Sequence, residues 1–479
     1  MSASSPQTLT PDICVIGAGP GGLSVAAAAA GFGVPTVLIE RRAMGGDSLI
    51  TGSVPSKALL AAAKRAEAIR SAGEFGLETQ NVRVNFAKVH DHVHGVIAAI
   101  APADSAERFA GLGVRVIGAQ AKFKDRGSVT AGDIEIRARR FVIATGSAPA
   151  IPPIPGLDSG PYLTNENIFE LKERPEHLII IGAGSVGLEM AQAFRRLGSS
   201  VTVLEGATPL AHDDPECAAI VLDRLEREGV IIRSGVKVIG IAHAGGAVTA
   251  TIETADAEQT ITGSHLLIAA GRRPMIDGLD LEAAGIRHDR AGIIVNRKLK
   301  TSNGRVYAIG DCAAGHSPLT HAANYHARLV VQNALFRYPV RVNHSAIPWA
   351  TFTEPELAHA GLTEAQARAR GIKIHVTRWP YNDNDRAHIE RETRGHIKVI
   401  TTGKGKIVGV SIVGAQAGEL IAMWTLAIAQ GLNIRALTEL VLPYPTFSEL
   451  GKRAAIDFFI PRLTNTWVRR IIGWMRKFG

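Results

Sequence analysis

A glycine-rich turn near the start of the chain constrains the fold more than any other feature of the sequence. The apolar residues 12–16 lead directly into Gly17-Ala-Gly19-Pro-Gly-Gly22, and an alanine-rich stretch and a second apolar run ending at Glu40 follow. Gly17 permits a tight turn, Gly19 lets the backbone approach a pyrophosphate, and Gly22 lets a helix pack closely on the strand. The acid at the end of the second run can bind ribose hydroxyls. The segment therefore predicts a βαβ unit that binds a dinucleotide.

A second glycine-rich turn repeats the first one in the middle of the chain. The apolar residues 178–181 lead into Gly182-Ala-Gly184-Ser-Val-Gly187, and the next apolar run ends at Glu205. Two such units predict one tightly held dinucleotide and one that exchanges. A carboxylate at Glu205 should repel a 2′-phosphate, so we expect NADH to be preferred over NADPH. Arg195 and Arg196 precede that strand and could soften the preference.

A further pair of similar segments supports this duplication. One apolar run ends in Thr145-Gly146-Ser-Ala-Pro149, and another ends in Gly271-Arg-Arg-Pro274. We predict that each is a buried strand followed by a turn that returns toward its nucleotide.

The composition is that of an ordinary globular protein of several domains. The chain has 479 residues, of which 46% are hydrophobic and 20% charged, and its net charge is +9. Disordered, collagen-like and coiled-coil folds are therefore excluded. The first ten residues contain neither the basic segment nor the apolar segment of an export signal. Prolines and glycines interrupt the longest weakly polar stretch, which argues against a membrane span. We therefore predict a cytoplasmic protein. The three cysteines and sixteen histidines suggest no metal site, and we predict none.

With these motifs in place, the chain resembles the flavoprotein disulfide reductase family, which includes dihydrolipoamide dehydrogenase, glutathione reductase and mercuric reductase. The resemblance extends to the Val306–Asp311 segment and to Pro445-Thr-Phe-Ser-Glu449, while residues 100–109 and 384–387 are most similar to mercuric reductases. It implies an α/β fold with two Rossmann-like dinucleotide-binding domains, for FAD and NAD, and a C-terminal α+β dimerisation domain that forms a homodimer.

The resemblance also implies domain boundaries and binding residues. The FAD domain would comprise residues 1–152 and 275–343, the NAD domain 153–274, the dimerisation domain 344–460 and a basic tail 461–479. The positions that would bind FAD are Gly17, Gly19, Gly22, Glu40, Gly46, Lys57, Ala121, Thr145, Gly146, Gly310 and Asp311. Those that would bind NAD are Gly182, Gly184, Gly187, Glu189, Glu205 and Gly271.

The segment that carries the chemistry in this family departs from its usual sequence. Family members place a Cys-x4-Cys pair between a Gly-Gly turn and a Pro-Ser-Lys, but here the two positions are Ser48 and Ser53. A hydroxyl forms no disulfide and is barely ionised at neutral pH, so it cannot attack as a thiolate does. Engineered substitution of two cysteines would give the same two serines. However, Asp47, Ile50 and Thr51 also depart from the family's pattern, which favours serines that occur naturally.

Two further positions bear on the reaction that the resemblance implies. Lys57 would lie beside the flavin and pair with Glu189, which would position its charge. Thiol-exchanging members carry a histidine where this chain has Tyr444, paired with a glutamate that matches Glu449. Mercuric reductases also have a tyrosine there, but mercury needs thiolates, which Ser48 and Ser53 do not supply.

The C-terminal tail combines positive charge with a regular apolar pattern. Five basic residues and no acid follow residue 461, and apolar side chains recur at helical spacing at Trp467, Ile471, Trp474, Met475 and Phe478. Such a helix is suited to a membrane surface, but packing on its own subunit or across the dimer would give the same pattern. A basic stripe with stacking aromatics is lacking, so nucleic acid is not an expected partner.

The sequence therefore predicts an FAD-dependent NAD(P)H oxidoreductase that passes electrons to a non-disulfide acceptor such as a quinone. A pyridine-nucleotide transhydrogenase, an enzyme similar to dihydrolipoamide dehydrogenase or mercuric reductase, and a flavin-binding redox sensor or accessory subunit remain alternatives. We expect the protein to be cytoplasmic, with association at the inner face of the membrane left open.

Overall fold

The structure, a computed structural model, describes residues 7–80, 82–255, 257–460 and 466–478. The chain divides into two compact units. The first comprises the residues up to Gly182 together with Arg196–Ser200 and Val238–Val342, and the second comprises Ala183–Arg195, Val201–Lys237 and the residues from Asn343 onward. The domain boundaries inferred from the resemblance stay predictions.

The secondary structure alternates strands and helices over most of the chain. The described strands are β1 (Gln7–Leu9), β2 (Ile13–Ile16), β3 (Thr36–Glu40), β4 (Val114–Gly118), β5 (Ala121–Phe123), β6 (Val129–Ala131), β7 (Ile134–Ile136), β8 (Arg140–Ile143), β9 (Ser147–Pro149), β10 (His177–Ile181), β11 (Ser200–Glu205), β12 (Ile231–Ser234), β13 (Lys237–Ala244), β14 (Ala247–Glu253), β15 (Glu258–Gly263), β16 (His265–Ile268), β17 (Arg272–Pro274), β18 (His288–Asp289), β19 (Gly292–Ile293), β20 (Val306–Ala308), β21 (Trp349–Thr351), β22 (Glu356–Gly361), β23 (Ile374–Pro380), β24 (His396–Thr402) and β25 (Ile407–Gly414). The described α-helices are α1 (Pro20–Gly31), α2 (Gly46–Ile50), α3 (Ser53–Arg70), α4 (Phe86–Ile100), α5 (Ala106–Gly111), α6 (Ser185–Arg196), α7 (Pro215–Arg227), α8 (Thr320–Ala334), α9 (Glu364–Ala369), α10 (Asp385–Ile389), α11 (Ala417–Ala429), α12 (Arg435–Thr438), α13 (Glu449–Asp457) and α14 (Thr466–Met475).

The first unit is built on a parallel sheet that is covered on both faces. Its five strands run in the order β20-β8-β2-β3-β4. In β2, Ile13 and Val15 join the core formed with α1 and α8, whereas Cys14 and Ile16 join the core formed with β5–β7. All four side chains are buried, which explains why this strand reads as an unbroken apolar run.

The repeated segments of the sequence have corresponding positions in the fold. In the first unit β10 pairs with β16 in parallel, and in the second unit β11 pairs with β12 in parallel. The two similar turn segments lie side by side, because β9 and β17 pair in antiparallel fashion with Ser147 opposite Pro274. The strands after Gly146 and Gly271 thus form one small sheet of the first unit.

The second unit contains an antiparallel sheet with helices packed against it. Five strands run in the order β21-β22-β25-β24-β23. The core of this unit includes Trp424 of α11 and Leu450 of α13, together with Ile397 and Val410 of the sheet. This is the α+β arrangement predicted for the C-terminal part of the chain.

A buried lysine ties together three acidic side chains of the second unit. Lys398 of β24 is almost fully buried, and its Nζ lies 2.8 Å from Asp214, 2.9 Å from Glu216 and 2.9 Å from Glu364. Arg378 also donates to Glu216, and these hydrogen bonds lower the pKa of Glu216 from 4.5 to about 2. Because the folded-state pKa is depressed, this group stabilises the fold above about pH 4.5, and the contribution is lost as the pH falls toward 2.

We expect Lys398→Met to destabilise the second unit strongly. Removing the ammonium leaves three carboxylates together, and breaking a buried ion pair from one side costs about 3–5 kcal/mol. Urea unfolding at neutral pH should show a lower midpoint than in wild type. Lys404→Met serves as the control, since Lys404 lies exposed after β24 and its loss should leave the midpoint unchanged.

The C-terminal helix α14 exposes its apolar side chains. Trp467, Ile471, Trp474, Met475 and Phe478 are between 54% and 73% exposed. Residues 461–465, which belong to the predicted tail, lie outside the described residues. Over the described ranges, the structure contains no helix that is both long and apolar enough to cross a membrane.

Candidate functional site: two nucleotide turns and an active-centre segment

The first glycine-rich turn has the geometry that its sequence predicts. Gly17 has φ +103°, and a Cβ there would lie 2.4 Å from the carbonyl oxygen of Ala144. A Cβ at Gly22 would lie 1.9 Å from the carbonyl oxygen of Gly17, so a side chain would separate helix α1 from the strand. Glu40 holds the turn in place, because its Oε2 accepts a hydrogen bond of 2.7 Å from the amide of Ala18.

The second turn repeats this geometry. Gly182 has φ +111°, and a Cβ there would lie 2.4 Å from the carbonyl oxygen of Ala269. The amide of Ala183 donates to Glu205 Oε2 at 2.7 Å, which matches the bond made by Glu40 in the first turn. Gly187 is buried within α6. The duplication inferred from spacing is thus also a duplication of hydrogen bonds.

The phosphate-facing positions of both turns are open. A Cβ placed on Gly19 or on Gly184 would meet nothing within 4 Å. Helix α1 begins directly after Gly19 with no side-chain cap and no acid in its first turn, so its free amides and partial positive charge face an unobstructed space. This is the cradle that a pyrophosphate requires, and the first turn therefore fits FAD.

The segment that carries Ser48 and Ser53 packs against the first turn. A Cβ at Gly46, whose φ is +57°, would lie 2.7 Å from Gly19 Cα, so only glycine allows this approach. Ser48 lies in α2 and accepts a hydrogen bond of 3.2 Å from Thr320 Oγ1. Ser53 is the exposed first residue of α3, and Lys57 lies one turn further along the same helix.

Asp47 anchors this segment through a network that sequence reasoning missed. Its Oδ1 accepts hydrogen bonds from Thr51 Oγ1 at 2.8 Å and from Asn165 Nδ2 at 2.9 Å, and its Oδ2 lies 3.1 Å from Arg272 Nη2. Asn165 also donates to the carbonyl oxygen of Thr51. Asp47 and Thr51 therefore bond to each other at the C-terminal end of α2, and Asn165 bonds to both of them.

Arg272 connects this segment to Asp311. Arg272 Nε donates to Ser147 Oγ at 2.7 Å, and Ser147 Oγ donates to Asp311 Oδ2 at 2.6 Å. Burial raises the pKa of Asp311 above its usual value. The pairing of β9 with β17 brings Ser147 and Arg272 together, and the similarity of their two segments was the one signal in the sequence.

The other predicted nucleotide-binding positions lie in turns or short strands. Gly146 (φ +72°) and Gly271 (φ +112°) directly precede β9 and β17, and a Cβ on either would meet nothing within 4 Å. Gly310 (φ +65°) begins a short 3₁₀ turn that contains Asp311. Ala121 is a buried residue of β5, and Thr145 is half-buried next to Gly146.

The three cysteines are not suited to act as thiolates. Cys14, Cys217 and Cys312 are buried and form no disulfide. Burial raises the pKa of all three thiols, which keeps them protonated at neutral pH.

Asn384 and Asp385 bond to the segment that contains Tyr444 and precedes Glu449. Tyr444 is 71% exposed, and its hydroxyl donates to Asp385 Oδ2 at 2.6 Å, a hydrogen bond that raises the pKa of Tyr444. The neighbouring Asn384 donates to the carbonyl oxygen of Thr446 at 3.1 Å. Glu449 is the first residue of α13. Sequence reasoning singled out Asn384-Asp385 only as a family likeness and did not foresee this contact.

Glu189 occupies a buried position in α6. Its Oε1 accepts a hydrogen bond of 2.9 Å from the amide of Phe352, a contact that the sequence did not suggest. The pairing of Glu189 with Lys57 stays a prediction.

Comparison with known proteins shows the family. The sequence model of the pyridine nucleotide-disulphide oxidoreductases matches residues 11–327, and that of their dimerisation domain matches residues 347–455. The chain belongs to this family, whose members bind FAD and NAD(P)H.

Individual relatives agree with this assignment. The chain is 35% identical over 456 residues to a mercuric reductase of Streptomyces lividans, covering 93% of this chain and 96% of the relative. It is 34% identical over 454 residues to a dihydrolipoyl dehydrogenase of Bacillus subtilis, covering 93% and 95%. Among solved structures it is similar to LpdA of Mycobacterium tuberculosis (TM-score 0.85, 26% identity, 94% and 99% covered). It is also similar to the Cu(II) complex of the HOCl-induced flavoprotein disulfide reductase RclA of Escherichia coli (TM-score 0.84, 27% identity, 94% and 99% covered).

These similarities confirm the predicted family, the predicted fold class and the predicted cofactors FAD and NAD(H). The protein is a flavoprotein oxidoreductase, and its dimerisation domain supports a homodimer. The roles of the individual site residues stay predictions.

Proposed function

We propose that the protein transfers electrons from NADH through FAD directly to a non-disulfide acceptor, with a quinone as the first candidate. The observation that carries this proposal is the pair Ser48 and Ser53 in a segment that still packs against the first nucleotide turn. The buried, protonated thiols of Cys14, Cys217 and Cys312 offer no replacement for a dithiol relay.

The contacts of the active-centre segment support natural serines rather than a damaged disulfide enzyme. In a disulfide-bearing member the covalent bond would close the turn between α2 and α3. Here Asp47 and Thr51 bond to each other at the C-terminal end of α2, and Asn165 and Arg272 bond to Asp47 from outside the segment. A site that had only lost its two cysteines would not need these polar substitutions.

The remaining chemistry falls to FAD and the charges around it. FAD, when bound, supplies the two-electron step by which hydride from NADH becomes electrons for the acceptor. Lys57 would hold a positive charge beside the ring, where it stabilises negative charge, and Glu189 would orient it. Tyr444 and Glu449 would line the acceptor side, with Asp385 fixing the tyrosine hydroxyl.

Anaerobic rapid mixing separates this proposal from its rivals. Fast loss of the flavin absorbance on mixing with NADH, followed by fast recovery with a quinone and none with lipoamide, is the expected result. Turnover with lipoamide would contradict the argument from Ser48 and Ser53. If only an oxidised pyridine nucleotide restored the flavin absorbance, the protein would instead be a transhydrogenase. If none of the small acceptors restored it, the protein would be a sensor or accessory subunit.

The preference for NADH rests on Glu205. The amides of Ala183 and Ala207 hold its carboxylate in place, so this carboxylate would repel the 2′-phosphate of a bound NADPH. We expect Glu205→Gln to lower the ratio of kcat/KM for NADH to kcat/KM for NADPH by about tenfold. This change corresponds to about 1.4 kcal/mol in the discrimination between the two nucleotides. The matching change in the first turn, Glu40→Gln, should leave this ratio unchanged, because Glu40 belongs to the other nucleotide. An unaltered ratio in Glu205→Gln would refute the assignment.

We further propose that the tail places the enzyme on a membrane surface. Helix α14 exposes its tryptophans and carries Arg469 and Arg470, with Arg476 and Lys477 following, so apolar insertion and attraction to anionic lipid act together. A lipid-soluble quinone would then be at hand.

Deleting residues 461–479 should abolish binding to liposomes that contain anionic lipid. Each basic residue near such a surface contributes about 1 kcal/mol, so the expected loss of binding is at least a hundredfold. Flotation with anionic and with neutral vesicles measures it, and NADH-driven flavin reduction in solution provides the control that the deletion leaves intact. Undiminished binding of the shortened chain would refute the membrane proposal.

A further inference from the structure

Outside the nucleotide sites, two histidines of helix α4 lie close to a glutamate from a separate turn. His90 and His94 are four residues apart and so lie on one face of the helix, with their ring centroids 4.2 Å apart. Glu170 ends the short 3₁₀ turn Ile168–Glu170. One nitrogen of each histidine and one carboxylate oxygen of Glu170 all lie within 4.8 Å of one another. The prediction of no metal site did not take this spacing into account.

The hydrogen bonds of the two rings decide which nitrogen of each ring can bind an ion. His90 Nδ1 lies 3.2 Å from Asp91 Oδ1, which holds that nitrogen as the donor and leaves Nε2 with its lone pair. His94 Nε2 lies 3.2 Å from the carbonyl oxygen of Phe169 and 3.6 Å from Glu170 Oε1. To bind an ion beside Glu170, this nitrogen must give up its hydrogen bond to Phe169 and leave the ring proton on Nδ1. A carboxylate partner such as Asp91 fixes the tautomer and the ring orientation of a metal-binding histidine.

We propose that His90, His94 and Glu170 bind one divalent transition-metal ion of the Zn²⁺ or Cu²⁺ type. Imidazole nitrogens are preferred ligands of these ions, and a carboxylate completes a three-ligand set with positions left for water. Donor atoms on one tetrahedral zinc ion lie about 3.4 Å apart. His94 Nε2 and Glu170 Oε1 are 3.6 Å apart, which is close to this spacing, and the carboxylate of Glu170 is 64% exposed and can adjust its position.

The site would connect helix α4 to the segment that borders the active centre. The same stretch of chain that provides Glu170 contains Asn165, which donates to Asp47 and to the carbonyl oxygen of Thr51. A bound ion would therefore restrain the same stretch, residues 165–170, that bonds to Asp47. The proposal rests on the donor set alone and is independent of the electron acceptor.

Calorimetric titration of the FAD-loaded, tag-free protein with Zn²⁺ tests the site. Wild type should bind one ion, and His94→Gln and Glu170→Gln should each weaken binding at least about tenfold. His92→Gln is the matched control, because His92 lies exposed on the same helix and outside the cluster. FAD content and the thermal unfolding midpoint of the metal-free variants verify that they are folded. No binding by wild type, or equal affinity in wild type and His94→Gln, would overturn the proposal.

Copper as a probe identifies the ligands directly. The electron paramagnetic resonance spectrum of the protein with one equivalent of Cu²⁺ should show coupling to two imidazole nitrogens. His90→Gln should remove one of these couplings, while His92→Gln should leave both. A spectrum that is the same in wild type and in His90→Gln would place the ion elsewhere and contradict the assignment.

Discussion

Ser48→Cys/Ser53→Cys should convert the protein into an enzyme that reduces disulfides. The active-centre segment keeps its glycines, its Pro-Ser-Lys and its packing against the nucleotide turn, so the two thiols would enter a prepared site. A thiolate is the attacking group in disulfide exchange, and serine cannot supply it. NADH-dependent reduction of a small aromatic disulfide should therefore rise from background by at least about a hundredfold, a barrier change of about 2.7 kcal/mol.

The single variants control this prediction. Ser48→Cys and Ser53→Cys each provide one thiol without a partner, so neither should sustain turnover, although both should retain FAD and its reduction by NADH. If the double variant binds FAD but remains inactive with disulfides, then more than the two hydroxyls separates this site from its relatives. If wild type already reduces the disulfide at a comparable rate, the proposed function is wrong.

Gly19→Val should abolish most FAD binding while leaving the fold of the protein intact. A Cβ at Gly19 would meet nothing within 4 Å in the protein itself, yet a valine there would occupy the space through which a pyrophosphate reaches the amides of α1. We expect FAD content to fall at least about tenfold, while the far-ultraviolet circular dichroism spectrum stays that of wild type.

The duplicated turn provides the matched control for this variant. Gly184 is the counterpart of Gly19, and a Cβ there would also meet nothing within 4 Å. Gly184→Val should keep FAD and instead raise the KM for NADH by about tenfold or more. Loss of FAD from Gly184→Val, or full FAD in Gly19→Val, would contradict the assignment of the two turns.

The sequence predicted those parts of the site in which neighbours along the chain define the geometry. The turns at Gly17 and Gly182 follow from local requirements on backbone conformation, and both acids lie where the spacing predicts them. The contacts of Asp47 with Asn165 and Arg272 join residues that are far apart in the sequence, and no local sequence pattern predicts such contacts. The contact of Arg272 also depends on how β17, which carries Arg272, pairs with β9.

The same reason explains two other contacts that the sequence did not reveal. Tyr444 was singled out for its place before Pro445, but its partner Asp385 belongs to a different helix. The histidine pair of α4 was open to prediction from its spacing, whereas Glu170 comes from a separate turn and becomes a neighbour only in the folded chain.

An anaerobic reductive titration tests most directly whether the protein works without a redox-active disulfide. A flavin alone takes up two electrons, and a flavin with a disulfide takes up four, because each disulfide is itself a two-electron centre. The proposed function predicts that wild type is fully reduced by two electrons per FAD and that Ser48→Cys/Ser53→Cys requires four. A requirement of four electrons per FAD in wild type would contradict the proposed function.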